Sequence, residues 1–192
     1  FHIVAVDLVG FGYSEKPRWF DYTIASQARI ITRFMNTLGL GRATLVGSSY
    51  GGAVAMTIAL DYPEYVEKLV LLDAVINDEA LSHPILRLAS IPGVGETITP
   101  FLVDSRIVMR HRMRGSLAKP NHELITNERI SNVLRPLSAA DGHHSVLATS
   151  RAWSANRIEK DAHLINQPTL VIWGEEDTVI GIHNGYKLYE SI

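Results

Sequence analysis

The residues Gly47-Ser48-Ser49-Tyr50-Gly51 are the group whose types and spacing point most directly to chemistry. Ala43-Thr44-Leu45-Val46 before them is an apolar run that reads as a buried strand, and Ala53 to Leu60 after them reads as a buried helix. A serine at a sharp strand-to-helix turn is lifted off the sheet into a strained backbone conformation. Small residues two before and two after it let the turn close without side-chain clashes. Gly47 and Gly51 hold those places around Ser49, and Gly52 extends the clearance where the helix packs on the strand. Ser48 does not fit the frame, because Val46 lies two residues before it. The helix N-terminus points its N–H groups at any oxyanion formed beside Ser49. The chemistry implied is nucleophilic attack by a serine hydroxyl. That hydroxyl is weak at neutral pH and needs a base within hydrogen-bond reach, and the base needs an orienting carboxylate.

The elements that must position Ser49 follow from the pattern on either side. Residues 1–6 read as a strand, followed by a loop through Pro17. Thr23 is a fitting N-cap, and Ile24, Ala28, Ile31, Met35 and Leu38 recur at the spacing of an amphipathic helix that Gly39 and Gly41 end. Strand 43–47, helix 50–61 and strand 68–73 come next, with Pro63 closing the helix. Alternating strands and helices imply a parallel sheet covered on both faces. Between Val75 and about Ser150 strand-like runs vanish. Short helical stretches there are broken by Pro84, Pro92-Gly93, Gly95, Pro100, Gly115, Pro120 and Pro136. A helix around 154–165, a strand over 169–173 and the start of another helix complete the chain. No internal repeat or low-complexity tract appears.

Three stretches resemble the α/β-hydrolase family. Phe1 to Ser14, with Asp7, Gly10 and Gly12, looks like the strand and turn that precede the family's nucleophile unit. Leu69-Val70-Leu71-Leu72-Asp73 looks like the strand after it, and Pro168 to Asp177 like the strand that delivers the acid. G-x-S-x-G is itself a family motif. The resemblance implies an α/β fold: a mostly parallel sheet with helices on both faces, a three-layer sandwich, plus an inserted α-helical cap. Core residues would be 1–75 and 150–192, and the cap 76–149. It implies Asp177 as the acid, with Asp73 as the alternative because some members carry the acid at that strand end. The backbone N–H of Tyr50 would be one oxyanion donor, and the Tyr50 ring packing. The implied function is hydrolysis of a small ester or related carbonyl compound held under the cap, through an acyl-enzyme that needs no cofactor and no metal. Carbon–carbon hydrolysis of a diketone acid uses the same constellation and is the alternative. A dehalogenase with an aspartate nucleophile is disfavoured, since Ser49 fills that position. From another class, a non-catalytic small-ligand receptor on the same fold is a further alternative.

Two parts of that machinery are not legible. The family's histidine follows one more strand after the acid, and only 15 residues follow Asp177. His183 lies inside the expected helix and does not serve as the base. The second oxyanion donor comes from a loop after a strand that would precede residue 1. The expectation is therefore an internal piece of a longer hydrolase, lacking N-terminal strands and the last strand, with a gap in its sheet. Such a piece would be catalytically incomplete and marginally stable alone.

Composition sets the remaining bounds. The 192 residues are 46% hydrophobic and 20% charged, an ordinary globular balance able to bury one sizeable core. A net charge of −2 gives no reason to expect nucleic acid or an anionic membrane as partner. With no cysteine there is no disulfide, thiolate metal site or cysteine nucleophile, which fits the cytoplasm. No apolar run approaches a membrane span. Because Phe1 starts directly in a strand, the lack of a leader carries no information about location. Nothing in the sequence specifies an oligomeric state. Asp7 with Gly10 and Gly12 lacks the third glycine of a dinucleotide site and reads as a turn that Asp7 bonds. Arg106, Arg110 and Arg114 share one helical face with Arg112 and His111 nearby, which reads as a solvated face of the cap and less readily as a contact to an anionic substrate. Asp141, His143 and His144 lack a further ligand at metal spacing, and His83, His122 and His163 read as surface or interface residues.

Overall fold

The computed structural model describes residues 2–79, 88 and 90–192. In chain order the elements are α1 (Ile24–Thr37), β1 (Ala43–Ser48), α2 (Tyr50–Asp61), β2 (Val66–Leu72), α3 (Val94–Asp104), α4 (Arg106–Gly115), α5 (Asn127–Leu137), α6 (Gly142–Arg151), α7 (Asn156–Asp161), β3 (Thr169–Ile172) and α8 (His183–Ser191). They fall into two compact units. One comprises the described residues within Phe1–Tyr22 and His83–Ala152, the other those within Thr23–Ser82 and Trp153–Ile192.

The unit holding β1, β2 and β3 is α/β. Its strands are parallel and ordered β1-β2-β3, with Val46 beside Val70 and Val70 beside Leu170. The Thr23 hydroxyl caps α1 by accepting from Ser26 N–H at 3.2 Å. At the other end Gly39 takes φ +65°, so that its N–H reaches Asn36 O and Leu40 N–H reaches Met35 O. That paired closure needs a left-handed residue, which is why glycine stands there. Helix α2 is apolar all round and buried from Gly52 to Ala59, packing on β1, β2 and α1. Arg157 of α7 grips the Asp61 carboxylate at the end of α2 with bonds of 2.6 and 3.1 Å. Along β1 and β3 the side chains alternate. Leu45, Gly47 and Val171 turn inward, whereas Thr44, Val46, Leu170 and Ile172 lie exposed.

The strand read over residues 1–6 forms no ladder among the described residues, and Ile3, Val4 and Val6 are exposed. A strand exists through its partner, and periodicity cannot supply one. The turn that follows is built as expected. Asp7 accepts from Tyr13 N–H at 2.9 Å, and Ser14 Oγ donates to Asp7 O at 2.6 Å. Gly12 sits at φ +49° against the Asp7 carboxyl, where a Cβ would collide with it. The expected helix over 154–165 is shorter: α7 ends at Asp161 and a 3-10 turn, Ala162–Leu164, continues it.

The other unit is helical. Met109, Ile125, Ile130 and Leu134 form a buried cluster, with Met113, Leu117 and Leu137 packed against it. Ser145 of α6 donates to Gly10 O at 2.7 Å, tying the N-terminal turn into the same unit. Gly93 and Gly115 mark helix ends, but Gly95, Pro100 and Pro136 lie inside helices instead of breaking them. Pro136 occupies the last turn of α5. Pro100 is internal to α3, so the carbonyl of Glu96 goes without its helical donor. Pro84 lies outside the described residues. Among the described residues no helix is long and apolar enough to cross a membrane.

Glu96 joins two helices of this unit. Its carboxylate accepts from Arg151 at 2.7 and 3.0 Å and from Gly93 N–H at 2.8 Å. The Arg151 bond, then the backbone bonds, hold its carboxyl at about 2 instead of 4.5. A carboxylate depressed in the folded state contributes stability above its ordinary value, lost as pH falls toward the folded one. Exchange protection of the Gly93 amide should therefore fall as pH drops from about 4.5 toward about 2. E96Q should remove that pH dependence, as read by hydrogen exchange corrected for intrinsic rates.

Candidate active site

Ser49 takes φ 51° and ψ −119° between β1 and α2. That conformation is strained for a residue with a Cβ, at a cost of about 1–3 kcal/mol. Backbone bonds from both sides hold it. Ser49 N–H donates to Leu72 O at 3.0 Å, and its own carbonyl accepts from Gly52 N–H and Val75 N–H, each at 3.0 Å. The residue is exposed and its hydroxyl caps nothing.

The glycines around it do different work from what the motif suggests. A Cβ on Gly47 would lie 2.6 Å from Gly51 C and 2.7 Å from Gly52 N, backbone that cannot move aside. A Cβ on Gly52 would lie 2.5 Å from the Ala74 Cβ. A Cβ on Gly51 meets nothing within 4 Å. The turn therefore needs Gly47 and Gly52, while Gly51 is sterically open. Tyr50 is the first residue of α2. Its ring packs against Trp153, with centroids 5.3 Å apart.

Both candidate acids stand at the carboxyl ends of neighbouring strands. Asp73 follows β2 at φ 43°, and its Oδ1 accepts from Gly174 N–H at 2.7 Å. Asp177 is half-buried in the turn after β3, and its Oδ1 accepts from Val179 and Ile180 N–H at 2.7 and 2.9 Å. Gly174 lies between them: a Cβ there would be 3.7 Å from Asp73 Oδ1 and 3.9 Å from the Asp177 Cβ. Parallel register makes this row, since Ser48, Leu72 and Ile172 are ladder neighbours and Ser49, Asp73 and the Asp177 turn lie just beyond them.

Of the described histidines in this unit, none is bonded to Ser49. His163 Nδ1 is 3.1 Å from Lys160 O, and His183 Nε2 is 2.8 Å from Glu79 Oε2. His183 and then Asn184, by hydrogen bonding, hold the Glu79 carboxyl below its usual range. His83 lies outside the described residues.

In the helical unit the flagged residues are engaged among themselves. Arg106 donates to Ser131 Oγ and Asn127 O, and Arg110 to Ile125 O and Asn127 Oδ1. These two arginines staple α4 to the start of α5, so the face read as solvated is partly structural. Arg112, Arg114 and His111 remain exposed. His122 Nε2 sits 3.0 Å from both Arg114 O and Leu117 O. Asp141 binds Arg18, His143 binds Asp104, and the His144 ring meets Tyr22 edge-on. The roles of Gly174, Asn77, Glu79 and Asn184 carry no sequence signal, because each depends on a partner distant in sequence.

A family model described as alpha/beta hydrolase fold matches residues 1–192, and the chain belongs to that family. It is 25% identical to the 2-hydroxy-6-oxo-2,4-heptadienoate hydrolase of Pseudomonas putida, over 99% of this chain and 66% of that protein. It is 30% identical to haloalkane dehalogenase 2 of Mycobacterium tuberculosis, over 92% of this chain and 62% of that one. Among solved structures it superposes on Est816, described as an N-acyl homoserine lactone degrading enzyme, with a TM-score of 0.72 and 26% identity, over 97% of this chain and 69% of that one. The chain spans 58% to 69% of the length of the first curated relatives it matches.

The steric contrast between the glycines predicts opposite outcomes for one substitution. G47A should destabilise the fold by about 1–3 kcal/mol or more. G51A should be neutral or stabilising by up to about 1 kcal/mol. Urea midpoints of the two variants beside the parent chain check both.

Proposed function

We propose that this chain carries the nucleophile and the acid of a serine hydrolase acting on an ester or related carbonyl substrate. The observation that supports it most is the backbone of Ser49: a strained residue with an exposed hydroxyl at the N-terminus of a buried helix. In this reading Ser49 Oγ adds to the carbonyl carbon as a histidine takes its proton. The oxyanion is stabilised by the N–H of Tyr50, first in α2. The histidine then returns the proton to the leaving group, and water releases the acyl-enzyme.

We assign the acid to Asp177. Its Oδ1 is fixed by two backbone N–H groups, and its Oδ2 makes no hydrogen bond among the described residues, leaving it to accept from an imidazole. Asp73 receives the Gly174 N–H and is assigned to fixing the exit of β3. His163 and His183 are bound elsewhere in this unit, so neither is assigned as the base. Of residues 76–149, read in sequence as the cap, the described ones from 83 onward fall in the helical unit and are proposed as the cap that selects substrate. Hydrolysis of a carbon–carbon bond in a diketone acid is the second reading, favoured by the similarity to the Pseudomonas putida hydrolase.

In the full-length protein a fluorophosphonate should label Ser49, and S49A should abolish labelling. D177N should lower turnover by about 10⁴-fold, whereas D73N should cost far less. A reversed ranking would move the acid to Asp73. Absence of labelling in the parent would replace the enzyme by a ligand receptor. Comparing a p-nitrophenyl ester with a 2-hydroxy-6-oxo-dienoate separates the two chemistries.

A further inference from the structure

Beyond Ser49 and the two aspartates, the α/β unit holds a polar cluster, two buried amides with the exposed Glu79 and His183 at its rim, that the proposed chemistry does not use. Asn77 and Asn184 are 9% and 1% exposed, the two amides among the described buried polar residues that bond each other. Asn77 Nδ2 donates to Asn184 Oδ1 at 2.9 Å, and Asn77 Oδ1 accepts from Glu79 N–H at 3.1 Å. Asn184 Nδ2 donates to Glu79 Oε2 at 3.1 Å, and the same oxygen meets His183 Nε2 at 2.8 Å. Buried amides keep such partners because leaving one unpaired costs more than the bond gains.

The two ends of this cluster lie on segments that matter. On one side is the extended segment leaving β2. Its Asp73 receives Gly174 N–H, its Val75 N–H donates to Ser49 O, and its Asn77 and Glu79 reach α8. On the other side is the turn that carries Asp177. Ile180 N–H donates to Asp177 Oδ1, Ile180 O accepts from Trp173 Nε1 at 2.9 Å, and Asn184 N–H donates to Gly181 O at 2.9 Å. A small cleft lined by Val75, Asn77, Glu79, Val179, Ile180 and Asn184 lies beside these bonds.

We propose that Asn77, Glu79 and Asn184 are positioning residues for Asp177, fixing its turn to the same segment that holds the carbonyl of Ser49. The catalytic half of this proposal rests on the serine-hydrolase reading, but the structural half does not. In the full-length protein, N77A, N184A and E79A should lower exchange protection of the Val179 and Ile180 amides about tenfold, with β1 amides unchanged. They should lower kcat about tenfold on an ester substrate with KM unchanged. E79Q keeps an acceptor oxygen for Asn184 and His183, so it should restore both protection and kcat relative to E79A. Unchanged protection at Val179 and Ile180 would overturn the proposal, as would a general fall in Tm with kcat intact. Should the parent protein fail to react with a fluorophosphonate, the hydrolase reading falls, and the exchange data alone still decide whether the cluster sets the turn.

Discussion

The structure depends on one unfavourable backbone. Ser49 at φ 51° is held in place because Leu72 O and Val75 N–H capture its two peptide groups, and because Gly47 and Gly52 leave room for the chain to reverse. The Leu72, Val75 and Ala74 contacts join segments distant in sequence, whereas Gly47 meets Gly51 and Gly52 within the turn. The strain of about 1–3 kcal/mol is thus offset by the assembled sheet as well as by the turn. What the strain secures is a hydroxyl that caps no helix and faces outward, next to the first N–H groups of α2. A relaxed serine at the same place would accept a bond from the helix as an ordinary N-cap, as Thr23, Ser105 and Thr126 do in this chain.

Parallel pairing carries that local geometry outward. With β1, β2 and β3 in one register, the chain leaves all three strands at one edge, and the polar residues just past each end converge there. Two of those residues, Ser49 and Asp73, have positive φ without being glycine. Positive φ at non-glycine residues is uncommon and marks places where surroundings overrule local preference. The Asp73 carboxylate then takes the Gly174 N–H, so the end of β2 fixes the start of the turn in which Asp177 sits. Ser49 and the turn that holds Asp177 are thereby tied to one short segment, Asp73 to Glu79.

Much of this was legible in the residues. The α2 boundaries follow from Gly-Ser-Ser-Tyr-Gly and Pro63, and the α1 closure from Gly39, because each is a local steric requirement. The strand over residues 1–6 was legible as a pattern and not as a fact, since its hydrogen bonds belong to a partner. Gly51 was overvalued and Gly52 undervalued for a similar reason: the demand on Gly52 comes from Ala74, which only the tertiary fold brings near. Pro100 and Pro136 misled because a proline's cost can be met within a helix held by its neighbours. Asn77, Glu79 and Asn184 left no trace in sequence, since a hydrogen bond between residues 107 apart has no periodicity.

The two units are held by different means. In the α/β unit a helix buried on all sides packs on the strands, and its polar bonds are placed where chain segments meet. In the helical unit the buried cluster is small, and exposed contacts such as Arg151 with Glu96 and Arg106 with Ser131 join the helices. Exposed charged pairs contribute little each, and their geometry is tolerant. A nucleophile and an acid need fixed positions, because small displacements cost large factors in rate. Ser49 and Asp177 lie in the unit built on the sheet, and the exposed pairs of the helical unit are where sequence change is cheapest.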